Sequence, residues 1–193
     1  FNMGDHAAAG KPPNGKGQRT SYLWEQVWQR DSWLEILARY LVTKKDDKKR
    51  ITGVLFPRYH QLDATRKLVQ AVLAEGAGQK YLIQHSAGSG KTNSIAWTAH
   101  FLADLHDAAN NKLFSTVLVV SDRTVLDTQL QEAIFDFERT AGVVATIKGE
   151  SQSKSGELAE ALSGGKKIVV CTIQTFPFAL KAVQDLAATQ GKR

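Results

Sequence analysis

Near its middle the chain contains the glycine-rich stretch His85-Ser86-Ala87-Gly88-Ser89-Gly90-Lys91-Thr92. Glycines at such positions let backbone N–H groups close around phosphate oxygens, a lysine neutralises phosphate charge, and a hydroxyl can ligate Mg²⁺. In this chain those parts fall to Gly88, Gly90, Lys91 and Thr92. The stretch therefore predicts a nucleotide-binding site.

The sequence around this loop supports that prediction, although one position departs from the general pattern G-x-x-x-x-G-K-[ST]. His85 stands where the first glycine of the pattern is expected. Residues 81–84 form a largely apolar run that predicts a short strand, and residues 93–106 carry helical periodicity. Strand, loop and helix thus follow one another in the order that a phosphate-binding loop requires. The alternative is a plain Ser/Gly turn between a strand and a helix.

Length and composition predict one folded domain with a small appendage. The chain has 193 residues, of which 42% are hydrophobic. No apolar run approaches the roughly 18 residues of a membrane span, so we expect a soluble protein without membrane association. The single cysteine, Cys171, lies in an apolar run, which predicts a buried strand thiol and fits a reducing compartment. The formal charge of +6 permits an acidic partner such as nucleic acid without requiring one.

The first 50 residues differ in composition from the rest. Residues 1–20 are rich in glycine, proline and basic side chains, which is typical of a linker. Residues 21–50 predict a connector of two helices, with a capping box at Ser32 and Glu35 between them. Its tryptophans recur at helical spacing, which favours a place in the core over base stacking. The charged run 44–50 that follows is interpreted as a solvated connection.

Residues 51–193 predict an α/β domain. Strands are expected at residues 81–84, 116–120, 143–146 and 168–172. Helices are expected at residues 63–75, 93–106, 124–137, 156–162 and 176–188. Such alternation is typical of a parallel sheet covered by helices on both faces.

Two side chains outside the loop are candidates for ligand binding. The amide of Gln61 can donate and accept at once, as reading an adenine edge requires; the alternative is an exposed residue at a helix start. Arg123 follows the carboxyl end of a predicted strand, where ligands bind in open α/β sheets, and could contact a phosphate backbone. It could equally form a surface salt bridge with Asp122 or Asp127.

A further candidate segment follows the strand predicted at residues 168–172. The hydroxyl of Thr172 and the amide of Gln174 could hydrogen-bond phosphate or sugar without reading sequence. The alternative is a helix N-cap at Thr172 or Thr175.

The order of these segments resembles a known family. Arg-Tyr-His-Gln at 58–61, Ser-Ala-Gly-Ser-Gly-Lys-Thr at 86–92, Ser-Asp-Arg at 121–123 with Leu-Asp-Thr-Gln at 126–129, and Thr-Ile-Gln-Thr-Phe at 172–176 look like the first motor domain of superfamily 2 helicases. More closely, the chain resembles the restriction (R) subunit of type I restriction-modification enzymes. Its first residues look like the connection between that subunit's nuclease and motor regions. The resemblance implies a RecA-like P-loop fold.

The resemblance also implies an ATP-dependent translocase on double-stranded DNA that works with modification and specificity subunits in a bacterial or archaeal cytoplasm. Gln61 would read adenine, and Thr92 would help to bind Mg²⁺. The phosphates would be held by Gly88, Ser89, Gly90 and Lys91. The DNA-tracking side would carry Arg123, Thr172 and Gln174.

The chain departs from the family pattern in what it lacks. The Asp-Glu box, whose carboxylates organise Mg²⁺ and the attacking water, is absent, as are the second motor domain with its arginine and the nuclease region. Residues 51–193 are therefore expected to be a partial motor domain 1, truncated before that box, and to hydrolyse little ATP alone. Two other functions stay open: the motor of a different superfamily 2 helicase or remodeller, and a nucleotide-responsive binding module that never hydrolyses ATP.

Overall fold

The computed structural model describes residues 18, 20–46, 48, 50–122, 124–138, 142–147, 154–175, 177, 181 and 184. Its α-helices are α1 (Arg30–Glu35), α2 (Tyr59–Glu75), α3 (Lys91–Ala103), α4 (Thr124–Asp136) and α5 (Lys154–Ser163), and π-helical turns span Leu23–Val27 and Ile36–Tyr40. Its strands are β1 (Val42–Lys45), β2 (Ile51–Leu55), β3 (Val117–Ser121), β4 (Val144–Thr146) and β5 (Ile168–Thr172). The helix predicted at 176–188 lies outside the described residues, except for residues 177, 181 and 184. Within the described ranges, no helix has the length and apolar character needed to cross a membrane.

The centre of the fold is a three-stranded parallel sheet in the order β3–β5–β4. Ile168 of β5 pairs with Val117 of β3 on one side and with Val144 of β4 on the other. All five residues of β5 are buried, as expected for the middle strand of a parallel sheet. Cys171 is a fully buried thiol in this strand, which confirms its predicted place.

Alternate residues of β5 enter two hydrophobic clusters. Ile168 and Val170 pack with Trp97 of α3 and with buried side chains of α4. Val169 packs in a second cluster with Leu158 of α5. Because successive side chains of a strand point to opposite faces, α3 and α4 cover one face and α5 covers the other. The predicted parallel α/β sheet flanked by helices is confirmed for the described residues, and it is compatible with a RecA-like domain.

Residues 81–84, which the sequence predicts as a strand, form no strand. No described strand pairs with them, and Leu82 is 91% exposed. A strand needs a hydrogen-bonded neighbour to satisfy its backbone groups. The prediction is wrong because an apolar run shows only that the residues suit a strand, and not that another strand lies beside them.

The N-terminal segment is helical, but its predicted capping box is wrong. The α1 helix begins at Arg30, so Ser32 and Glu35 lie within it and not at its start. Their side chains instead bind Arg66 of α2, whose Nη2 donates to Ser32 Oγ at 2.9 Å and whose Nε donates to Glu35 Oε2 at 2.8 Å. Arg66, 31 residues after Glu35, thus binds the carboxylate that a capping box would have used.

The tryptophans of this segment do not share one environment. Trp33 packs partly buried against the core, whereas Trp24 is 46% exposed and Trp28 is 55% exposed. A core position is therefore confirmed for Trp33 and wrong for the other two. Helical spacing groups side chains on one face but does not tell whether that face meets the core, and no residue of the π-helical turn 23–27 is fully buried.

The charged run 44–50 closes a hairpin in which β1 and β2 pair antiparallel. Asp46 organises the turn: its Oδ1 accepts the N–H groups of Lys48 and Arg50, and its Oδ2 accepts from Arg50 Nε at 2.8 Å. Lys44, Lys48 and Arg50 are exposed. These described residues are solvated, as interpreted, and the run connects two paired strands. The division of the chain at residue 50 stays a prediction.

Candidate functional site

The glycine loop (residues 85–90) leads directly into α3. Gly88 has a φ of 73° and Gly90 a φ of 81°, a left-handed conformation that glycine adopts without strain. The carbonyl oxygen of Gly90 accepts from the N–H of Asn93 at 3.1 Å, and α3 begins at Lys91. Both glycines therefore lie where the backbone requires them.

Lys91 turns back over the glycine loop. Its Nζ donates to the carbonyl oxygen of Ser86 at 2.8 Å and to that of His85 at 3.3 Å. The side chain is exposed, and it stands at the N-terminus of α3, the positive end of the helix dipole. An ammonium group beside a helix N-terminus attracts anions, and phosphate is among the groups that such a site binds.

Gln61 reaches the glycine loop from the start of α2. Its Oε1 accepts the N–H of Arg58 at 2.8 Å, as the third residue of a helix does when it caps its own N-terminus. Its Nε2 donates to the carbonyl oxygen of Gly90 at 2.9 Å. A primary amide has two N–H donors and an oxygen with two lone pairs, so one of each remains. Gln61 does lie at a helix start, but it is 3% exposed and thus buried, contrary to the exposed alternative.

His60 contacts the same loop one residue away. Its Nε2 lies 2.9 Å from the carbonyl oxygen of Ser89, and Nε2 carries the hydrogen because a carbonyl oxygen only accepts. Its ring meets His85 edge-on, with centroids 5.0 Å apart. Burial, and then the neighbouring His60 and Lys91, lower the pKa of His85 below its usual 6.5. The residue that replaces the first glycine thus packs against α2 as an uncharged ring at neutral pH.

Two buried serine hydroxyls adjoin this junction. Ser89 Oγ and Ser94 Oγ have no hydrogen-bond partner in the part of the chain that the structure describes. Leaving a buried hydroxyl unsatisfied costs about 1–3 kcal/mol, so a ligand that bonds to Ser89 would stabilise the loop. Thr92, the predicted Mg²⁺ ligand, is half-buried in the first turn of α3.

The residues predicted to face DNA lie apart in sequence from the glycine loop. Thr172 ends β5 and is 6% exposed, and its Oγ1 lies 3.0 Å from Thr175 Oγ1. Gln174 is exposed in the turn that follows. Arg123 lies outside the described residues. The assignment of these side chains to DNA stays a prediction.

Sequence reasoning gave His60 no role, although the structure joins it to the loop. Its partner Ser89 lies 29 residues away, so no local pattern marks the contact. The sequence signal that could have indicated this contact is the position of His60 beside Gln61 near the start of a helix. Two successive side chains at such a place can reach the same neighbouring loop.

Comparisons with known proteins match the part of the chain that contains this site. A family model described as SWI2/SNF2 ATPase matches residues 60–191, a range that contains His60, Gln61 and the whole glycine loop. The chain is 31% identical over 104 residues to the "Putative type I restriction enzyme MjaVIIP endonuclease subunit" of Methanocaldococcus jannaschii. That match covers 51% of this chain and 9% of the relative, so the chain spans a small part of the relative's length. No solved structure matches. Because the family model covers more than half of the residues, the chain belongs to the SWI2/SNF2 ATPase family.

Proposed function

We propose that the chain is the ATP-binding part of a DNA-translocating motor subunit of a type I restriction enzyme. Membership of an ATPase family supports the use of a nucleotide. The similarity to an archaeal restriction endonuclease subunit supports the restriction complex. In this proposal a longer protein couples ATP hydrolysis to movement along double-stranded DNA, and a nuclease region cuts it. Its partners are the modification and specificity subunits.

The observation that carries the proposal is the contact between α2 and the glycine loop. Gln61 holds the carbonyl oxygen of Gly90, and His60 holds that of Ser89. The loop is therefore supported by side chains outside it, next to the ammonium group of Lys91. A supported loop of backbone N–H groups beside a cation is the arrangement that binds phosphate.

ATP fits the residues present. In the proposal its phosphates are held by Gly88, Ser89, Gly90 and Lys91. The hydroxyl of Ser89, which is buried and has no partner among the described residues, would gain one. Lys91 would leave the two loop carbonyl oxygens that it now contacts. The remaining N–H and lone pair of Gln61 match the acceptor and donor of an adenine edge.

Magnesium would enter with the nucleotide. The hydroxyl of Thr92, one residue after Lys91, is the group that we assign to it. Bound Mg²⁺ supplies positive charge that stabilises charge developing on the phosphates.

DNA would bind on the side where β3 and β5 end. We assign Arg123, Thr172 and Gln174 to this side, because ligands of open α/β sheets bind at the carboxyl ends of strands. Hydroxyl and amide groups there can bond the DNA backbone without reading sequence.

The test is Lys91→Ala in a longer protein that carries this chain. The rate of ATP-driven translocation along double-stranded DNA should fall about 100-fold or more. Displacement of a triplex-forming strand from the DNA measures this rate. Lys112→Ala removes the same charge from an exposed position and should leave the rate unchanged. Translocation at the normal rate by Lys91→Ala would refute the proposal.

The SWI2/SNF2 match also favours a second candidate, the motor of a remodeller or other superfamily 2 helicase. DNA cleavage separates the two. A complex that translocates and then cuts supports the restriction enzyme, whereas translocation without cutting supports the second candidate. Saturable ATP binding without hydrolysis by that longer protein in the presence of DNA would contradict both and support a binding module.

A further inference from the structure

The first turn of α2 presents two consecutive side chains to two consecutive carbonyl groups of the glycine loop. His60 Nε2 lies 2.9 Å from the oxygen of Ser89, and Gln61 Nε2 lies 2.9 Å from the oxygen of Gly90. Both carbonyls are thereby drawn toward α2.

The orientation of a carbonyl fixes the N–H of the same peptide. In a trans peptide the C=O and N–H bonds point in opposite directions, and the described chain contains no cis peptide. The Ser89 carbonyl shares its peptide with the N–H of Gly90, and the Gly90 carbonyl shares its peptide with the N–H of Lys91. Both N–H groups therefore point away from α2. The N–H of Lys91 also lacks an intrahelical acceptor, because Lys91 is the first residue of α3.

The Ser89–Gly90 peptide needs such a restraint. Glycine adopts positive and negative φ with similar ease, so Gly88 and Gly90 give the peptides around Ser89 little preference of their own. The carbonyl oxygen of Gly90 also accepts the N–H groups of Asn93 and Ser94, so α3 and Gln61 together fix the peptide that follows Gly90. His60 is the side chain that holds the peptide before it.

We propose that His60 is a positioning residue for phosphate binding. Its Nε2–H holds the Ser89 carbonyl on the α2 side, so that the N–H of Gly90 faces the phosphates. The role rests on the proposed nucleotide site and adds the residue that orients its donors. His60 itself touches no phosphate, and it acts through the loop backbone.

The test compares His60→Leu with His60→Gln in this chain, using calorimetry with ATP, inorganic tripolyphosphate and adenosine. Leucine removes the donor, whereas glutamine carries an N–H on a side chain of similar reach. His60→Leu should weaken binding of ATP and tripolyphosphate about fivefold to tenfold, the worth of one hydrogen bond. It should leave adenosine binding unchanged. His60→Gln should restore most of the lost affinity, and His106→Leu, at an exposed histidine, should bind as the wild type does.

Several results would overturn this role. Wild-type affinity for tripolyphosphate in His60→Leu would do so, as would equal losses in His60→Leu and His60→Gln. Equal weakening of adenosine and ATP would indicate a merely structural effect. A wild-type chain that binds none of the three ligands would overturn the proposed function as well, so the two failures differ. If His60→Leu does not fold, His60→Asn, whose amide is too short to reach Ser89, provides the same comparison.

Discussion

The side-chain nitrogen of Gln61 lies 2.9 Å from the carbonyl oxygen of Gly90, and a Cβ at Gly90 would lie 2.7 Å from the same nitrogen. Glycine at this position therefore meets two requirements. It permits a φ of 81°, and it leaves room for the buried amide that holds the loop.

Gly90→Ala should destabilise the chain more than Gly88→Ala does. Both glycines have positive φ, and an alanine there costs about 1–2 kcal/mol in backbone strain. A Cβ at Gly88 would meet nothing within 4 Å, whereas one at Gly90 displaces Gln61 and forfeits its bonds, at a further cost of about 1 kcal/mol. The free energy of unfolding in urea measures the difference.

The double variant Gln61→Ala/Gly90→Ala identifies the cause. Once the Gln61 amide is removed, changing Gly90 should cost no more than changing Gly88. An unchanged penalty in the Gln61→Ala background would show that the amide is not what Gly90 accommodates.

Arg66→Ala should loosen the attachment of α1 to α2. The guanidinium of Arg66 binds both Ser32 and Glu35, and the ion-paired side chains are 28% and 31% exposed. After allowance for solvent screening, we expect a loss of about 1 kcal/mol in the free energy of unfolding.

Lys67→Ala is the matched control, since its partner Asp63 lies on the same helix and the lysine is 73% exposed. It should cost clearly less than Arg66→Ala. A double-mutant cycle between Arg66 and Glu35 should report a coupling energy. Absence of coupling would mean that this ion pair does not attach α1.

Acid should destabilise the chain partly through His85. Burial, followed by His60 and Lys91, lowers the pKa of His85 in the folded state below 6.5. The unfolded chain therefore takes up a proton near pH 6.5 that the folded chain does not bind. Stability from this source is fully present above pH 6.5 and falls as the pH drops toward the folded-state pKa.

Urea unfolding of His85→Asn between pH 5 and 8 checks this prediction. The variant should lose part of the acid-dependent decline in the free energy of unfolding, whereas His106→Asn should retain it. The same decline in His85→Asn as in the wild type would contradict the assigned cause.

The sequence predicted those features that depend on neighbouring residues. The helix after the glycine loop and the buried strand around Cys171 follow from local conformation and from hydrophobic patterning. Features that depend on distant partners could not be predicted in this way. Residues 81–84 have strand composition but no paired neighbour in the described chain.

The candidate site shows the same division. Lys91 and the glycines follow from one motif, and Gln61 follows from the chemistry of its amide. The sequence did not indicate a role for His60, because its contact is with Ser89, 29 residues away. Glu35 was misassigned to a cap because Arg66 binds it across a helix interface. In both cases a polar side chain binds a partner that is distant in the sequence, so the neighbouring residues do not reveal the contact.

We propose that the glycine loop and Lys91 bind the phosphates of ATP. This binding can be measured by titration of this chain with a fluorescent ATP analogue and Mg²⁺, at low and at high salt. We predict saturable binding by the wild type. Lys91→Ala should weaken this binding at least about tenfold at both salt concentrations, because it removes a charge-assisted contact with phosphate. Lys112→Ala should bind as the wild type does. Equal binding by Lys91→Ala and the wild type, or no saturable binding by the wild type, would contradict the claim.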